Sequence, residues 1–144
     1  MTSLNELYQN VILEHNRSPR NYRGMADANR EAQGHNPLCG DQVTVRLRVE
    51  DGRIQDAAFQ GSGCAISRAS ASLMTAAIKG RSPEEAAALF QQFHHLVTGH
   101  PEAADPETLG KLVVFSGVSA YPIRVKCASL PWHAMKAALD SPDL

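Results

Sequence analysis

Three cysteines and one aspartate carry the chemistry open to this sequence. Cys39 and Asp41 stand two residues apart in Asn36-Pro37-Leu38-Cys39-Gly40-Asp41, while Cys64 and Cys127 lie far along the chain. Three thiolates meeting at one point repel one another unless a cation holds them. Zinc does so, accepting thiolate sulfur and carboxylate oxygen in a four-coordinate tetrahedron. The expectation is one metal site built from Cys39, Asp41, Cys64 and Cys127, with a formal charge of about −2 from metal plus ligands. Carboxylate is a harder ligand than thiolate, so such a sphere opens more readily than a Cys₄ site. An iron–sulfur cluster is the competing occupant, since thiolates hold iron equally well. The spacing contains no Cys-x-x-Cys knuckle, and three buried structural thiols satisfy it as well as a site does. Gly40, Gly61 and Gly63 shift that balance, because glycine permits left-handed backbone and close approach to a ligand.

Composition narrows the setting. A chain of 144 residues is long enough to bury one core, and residues 1–144 read as a single domain. Fourteen basic residues against fifteen acidic leave no basic excess for a phosphate backbone, so no nucleic-acid partner is expected. No apolar run is long enough to cross a bilayer, and Met1–Glu6 lacks the basic start and apolar core of a signal peptide. The expected location is cytoplasmic, with no membrane partner. An odd count of three cysteines in that reducing setting argues against a disulfide framework.

The elements that must position these residues can be read in order. Ser3-Leu4-Asn5-Glu6 has capping-box form, and Leu4, Leu7, Tyr8, Val11 and Ile12 recur at helical spacing, predicting a helix over 4–16 that Ser18-Pro19 ends. Residues 22–35 read as a loop, with a short edge strand just before Asn36. Val43, Val45, Leu47 and Val49 alternate with Thr44, Arg46, Arg48 and Glu50, a half-buried strand. Asp51-Gly52 is the dipeptide of a type I′ hairpin turn. The return strand, about Arg53 to Gln60, needs either a bulge near Asp56-Ala57-Ala58 or cover on both faces. The two strands run antiparallel, so Cys39, before the first, and Cys64, after the second, fall at the same end.

Helices fill the remainder. Ala65–Lys79 predicts one with Gly80 at its C-terminal cap, and its small residues Ala69-Ser70-Ala71-Ser72 suit close packing on a sheet. Ser82-Pro83-Glu84-Glu85 opens the next, which Gly99-His100-Pro101 closes. Asp105-Pro106-Glu107 starts a helix to about Phe115. The apolar spacing of Ile123, Cys127, Leu130, Ala134 and Ala138 predicts a terminal helix with Cys127 in its first turn. There the positive helix end favours thiolate. Pro131 marks either its regular start or a kink. The fold class is α+β: a small antiparallel sheet packed on one side by helices.

Asn36–Asp41, Gly61-Ser62-Gly63-Cys64-Ala65-Ile66-Ser67 and Arg124-Val125-Lys126-Cys127-Ala128 together resemble the IscU/NifU-N superfamily of iron–sulfur cluster assembly proteins, most closely its SufU branch. Leu7-Tyr8, His15–Asn21, Ala69–Ser72, Ile78-Lys79-Gly80 and Leu109-Gly110 to Gly117-Val118 extend the resemblance over nearly the whole chain. The scaffold branch carries Leu-Pro-Pro-Val-Lys before its last cysteine and a His immediately ahead of it. Here that stretch reads Tyr121-Pro122-Ile123-Arg124-Val125-Lys126, so the motif is missing and Lys126 replaces the His.

The resemblance implies a SufE/NifU-like fold and a zinc-bound sulfur acceptor. A SufS-type cysteine desulfurase would deliver persulfide sulfur, with a downstream Suf scaffold or apo-proteins receiving it. Cys39 is the expected acceptor, being on a glycine-flanked loop while Cys64 and Cys127 are tied to helix starts. Arg124 and Lys126 would offset the negative site, or are solvated helix-end cations. The alternatives are a scaffold for a transient [2Fe–2S] cluster or iron, and a purely structural zinc domain. Asp41 argues against the last, since permanent sites are more usually all Cys and His. His35 is placed as a loop histidine near Cys39, His94-His95 on a helix rim, and Trp132 in the packing.

Overall fold

The alternation after Asp41 dictates a strand, and the computed structural model, which describes residues 4–37 and 40–141, places one there. Strand β2 (Asp41–Glu50) and strand β3 (Arg53–Ser62) form the expected hairpin. Asp51 and Gly52 sit at φ 55° and 73°, the left-handed pair that a type I′ turn requires. Val49 pairs with Ile54 but Arg48 pairs with Asp56, so Gln55 is the extra residue of a bulge. The bulge falls just ahead of Asp56-Ala57-Ala58, and both faces are also covered there, because Ala57, Ala58 and Phe59 are all buried. Backbone bonds from Arg23 N to Phe59 O (3.1 Å) and Phe59 N to Asn21 O (3.0 Å) close the outer edge of β3.

The short edge strand expected just before Asn36 is longer than expected and takes the later part of the stretch read as loop. β1 (Arg30–Asn36) runs for seven residues antiparallel to β2, from Arg30 opposite Leu47 to Asn36 opposite Asp41. Its sequence lacks the apolar alternation of a half-buried strand, and pairing comes instead from its neighbour and from Asn29. The Asn29 amide donates to Val49 O (2.7 Å) and accepts from Val49 N (2.8 Å), which starts the ladder. A side chain at Gly34 would begin 3.0 Å from Leu130 Cδ1, so close helix packing over β1 requires a small residue there.

Helix α1 (Leu4–Arg17) takes the predicted span, while its expected Ser3 cap lies outside the described residues. Helix α2 (Ala65–Ile78) follows β3, and α3 (Pro83–Val97) carries the full Ser82/Glu85 capping box. The helix expected from Asp105 to Phe115 is instead one turn, α4 (Pro106–Leu109), followed by 3₁₀ backbone over Gly110–Ala120. Gly110 at φ 57° leaves helical space and breaks it. The terminal helix α5 (Pro122–Asp140) begins with proline at its first position and keeps Pro131 inside. Cys127 therefore lies in the second turn, not the first, because Tyr121-Pro122 sets the start ahead of the apolar repeat. Pro131 supplies no N–H to the Cys127 carbonyl four residues back.

The three strands, in order β1-β2-β3, have helices packed on one face. Val43, Val45, Leu47 and Phe59 point into that core, and Trp132 is buried in it, stacked on Phe93 at 4.7 Å. The small residues of α2 serve helix contacts more than the sheet. Ser70 Oγ donates to Ala128 O (2.5 Å) and accepts from Trp132 Nε1 (3.1 Å), tying α2 to α5. Ser72 Oγ bonds His15 Nδ1 (2.6 Å) and accepts from Arg20 N (2.7 Å), tying α1 to α2. The opposite sheet face carries half-buried ion pairs such as Arg46–Glu31 (3.0 Å).

Candidate metal centre

Asp41 opens β2 in phase with Val43, so its carboxylate faces the helices and is fully buried. Burying a carboxylate is costly unless polar partners receive it. Its Oδ1 accepts from Cys64 N (2.8 Å) and its Oδ2 lies 3.7 Å from Cys64 Sγ. Cys64 is the N-cap of α2, extended at φ −72° and ψ 166°, and its Sγ accepts from Ser67 N (3.5 Å). The approach of β3 to Asp41 depends on glycine. A Cβ on Gly63 would stand 2.7 Å from Asp41 Oδ1, and one on Gly61 would stand 2.1 Å from Gln42 O. Cys127 is buried on α5 and completes the cluster.

One ligand atom each from Asp41, Cys64 and Cys127 lies within 4.8 Å of the other two, the group of metal-capable side chains found among the described residues. Zinc held tetrahedrally at ordinary bond lengths puts sulfur and oxygen ligands about 3.5 Å apart. The separation of 3.7 Å between Asp41 Oδ2 and Cys64 Sγ fits that sphere. A set of two sulfurs and a carboxylate oxygen suits a borderline cation and leaves a fourth position to fill. Cys39, the expected fourth ligand and acceptor, lies outside the described residues. The hairpin that carries it is closed by Asn36 paired with Asp41, and Gly40 N donates to Asn36 O (2.9 Å) with Gly40 at φ 73°.

Arg124 and Lys126, grouped in sequence, fall on different flanks of α5. Arg124 stacks on the Tyr121 ring (4.4 Å) and lines a groove of about 350 Å³ with Tyr8, Gln9, Ile12, Leu13 and Ile66. Lys126 lines a separate cleft of about 310 Å³ that also holds His35, His94 and His133. Burial holds His133 below the usual imidazole range, and nearby His94 adds to the effect. His35 sits on β1 opposite Gln42, on a strand rather than a loop. Tyr8 was legible only as part of an apolar stripe. Burial pushes its phenol up, Arg124 works against that, and the Cys64 and Cys127 sulfurs add to the rise.

A three-stranded antiparallel sheet with this helical cover, and a carboxylate and thiols gathered at one end, is the arrangement of a known family. The chain belongs to the family described as the NifU-like N terminal domain, which matches residues 7–128. It is 40% identical over 139 residues to an iron–sulfur cluster assembly scaffold protein IscU of Streptococcus pyogenes, covering 96% of this chain and 86% of that protein. It is 39% identical over 134 residues to the zinc-dependent sulfurtransferase SufU of Bacillus subtilis, covering 93% of this chain and 90% of that one. Among solved structures, an iron–sulfur cluster assembly scaffold protein for the SUF system from Fervidobacterium islandicum superposes with a TM-score of 0.86 at 32% identity, covering 92% of this chain and 96% of that one.

Proposed function

We propose that this protein works in iron–sulfur cluster assembly as a zinc-dependent sulfur acceptor, taking persulfide sulfur from a SufS-type cysteine desulfurase. The observation that carries the reading is the convergence of Asp41, Cys64 and Cys127 within 4.8 Å. Similarity to a zinc-dependent sulfurtransferase and the replacement of the scaffold branch's Leu-Pro-Pro-Val-Lys and His by Tyr121–Lys126 support it. Asp41, Cys64 and Cys127, with Cys39 as fourth, would hold the zinc. Zinc bound there supplies Lewis acidity that keeps cysteine sulfur deprotonated at neutral pH.

Cys39 is the nucleophile in this reading, acting by thiolate attack on sulfur as in thiol–disulfide exchange. Its thiolate attacks the outer sulfur of the partner's Cys–S–SH. A new sulfur–sulfur bond forms on Cys39, the partner's sulfur–sulfur bond breaks, and the partner cysteine leaves as thiolate with the electron pair. The proton stays on the transferred sulfur, and no net oxidation occurs. Asp41 meanwhile holds Cys64 N, so the start of α2 stays docked when the Cys39 loop disengages. Arg124 and Lys126, on opposite flanks of α5, offset the negative charge of the thiolates. Sulfur would pass on to a downstream Suf scaffold or apo-proteins. No helix among the described residues is long and apolar enough to cross a membrane, which agrees with a cytoplasmic setting.

A second reading, assembly and transfer of a transient [2Fe–2S] cluster as cargo, draws support from the similarity to the scaffold protein of Streptococcus pyogenes. Metal analysis of protein purified from cells, joined to a desulfurase assay of Cys39→Ala, separates the two. Stoichiometric zinc with stimulation lost in the variant supports the acceptor. A coloured protein holding iron and acid-labile sulfide would transfer the conclusion to the scaffold.

A further inference from the structure

The two flanks of α5 show different chemistry to solvent. On one, the walls of the groove are largely apolar and the Arg124 guanidinium is already stacked on Tyr121. The other carries the cleft of about 310 Å³ where α5 meets β1 and α3. His35, His94, Lys126 and His133 line that cleft, all of them exposed, and no Asp or Glu among the described residues does. Lys79 and Lys136 are ion-paired with Asp56 (3.3 Å) and Asp140 (2.8 Å), whereas Lys126 has no ion-pair partner among the described residues. Leu130 and Ser129 also line the cleft. Ser129 is only 6% exposed, and its hydroxyl has no hydrogen-bond partner among the described residues. Buried hydroxyls are nearly always bonded, and one that opens on a cleft is placed to meet an occupant.

The lining says what that occupant is. Lys126 supplies a fixed positive charge, and each imidazole donates an N–H whether or not it is charged. Together they are complementary to carboxylate. Small-molecule sites bury most of their ligand, which a cleft with all four of these polar walls exposed cannot do. A carboxylate carried on a longer chain brings its own cover. We propose that this cleft docks an acidic segment of a protein partner, with a carboxylate against Lys126 and the imidazoles and a neighbouring apolar side chain over Leu130. Lys126 immediately precedes Cys127, so the partner is held next to the metal centre. It leaves the Arg124 groove, on the other flank, open to a second partner. The inference stands apart from the metal-centre reading, because none of Asp41, Cys64 and Cys127 lines the cleft.

The test titrates the full chain, as purified, with the peptide acetyl-Asp-Glu-Leu-Asp-Glu-Leu-amide, with its Asn/Gln counterpart and with acetate, followed by amide and histidine-ring NMR. The acidic peptide should shift His35, His94, Lys126, Ser129 and His133 saturably, and its binding should weaken as salt rises. Lys126→Gln should weaken binding about tenfold, through loss of one charge-assisted contact. Because Lys126 adjoins Cys127, the double variant His94→Gln/His133→Gln repeats the test away from the metal ligands and should also weaken binding. No saturable shift, equal binding of the Asn/Gln counterpart, or undiminished binding in both variants would overturn the docking site. Shifts centred on Asp41 and Cys64 would put the carboxylates on the metal centre and overturn it as well. Displacement of the peptide by an equal concentration of acetate would make the cleft a small-anion site instead.

Discussion

The two ends of the β2–β3 hairpin solve opposite problems with the same residue types. At one end Asp51-Gly52 turns the chain, and the aspartate is exposed solvent-side decoration on a left-handed backbone. At the other, Asp41 is buried, and glycines at 61 and 63 bring β3 and the start of α2 against it. An aspartate beside a glycine means a turn when water can reach the carboxylate. It means a site when the strand phase drives that carboxylate into the core. What distinguishes the ends is burial and the company of sulfur.

Substitutions at each end should therefore separate fold from site. Gly61→Ala should have the largest effect, about 3 kcal/mol or more of stability in urea titration, because its Cβ meets the backbone carbonyl of Gln42, which cannot yield. Ser70→Ala should cost about 2 kcal/mol, since it strands the Trp132 N–H and loses the Ala128 tie that fixes Cys64's helix against Cys127's. Gly63→Ala should spare the fold yet lower zinc affinity at least about tenfold, by pushing on Asp41 Oδ1. Gly52→Ala should cost about 1 kcal/mol through its left-handed backbone and leave zinc affinity unchanged. Equal metal loss from Gly52→Ala and Gly63→Ala would erase the contrast between the ends.

The smallest effect expected is a pH dependence behind the site. Burial holds the His15 imidazole below its usual range, with Arg20 adding to the effect, and Ser72 bonds its Nδ1. The folded state thus keeps His15 neutral where the unfolded chain takes up a proton, near pH 6.5 and below. Unfolded chains then bind more protons, so stability is present above that pH and declines as pH falls toward the depressed folded value. His133 contributes with the same sign. His15→Gln in metal-free protein should flatten the slope of stability against pH between 7.5 and 5.5, and an unchanged slope would remove His15 as its source.

What could be read in advance follows from which physical signal each element carries. The β2–β3 hairpin was legible because period-two burial and an Asp-Gly turn are local. Strand β1 is legible only as a short edge strand before Asn36, because Arg30–Asn36 has no apolar phase of its own and its full length is recruited by β2, Asn29 and the cover of Leu130. The break at Gly110 needed a positive φ that composition does not reveal. Apolar spacing puts Cys127 one turn early, because the helix start is set by Pro122, a signal also present in the sequence. At the site, Asp41, Cys64 and Cys127 were nameable as types that bind metals, and the structure gathers them. The groove that Tyr8 lines with Arg124 is hidden in a helical stripe, since periodicity tells which face is buried and not what borders it.

X-ray absorption of the zinc-loaded protein tests the central claim most directly. The expected first shell is three sulfurs at about 2.3 Å and one oxygen at about 2.0 Å, with the oxygen contribution altered in Asp41→Ala. A shell of nitrogen and oxygen alone would contradict it, because zinc would then be bound somewhere other than among these cysteines.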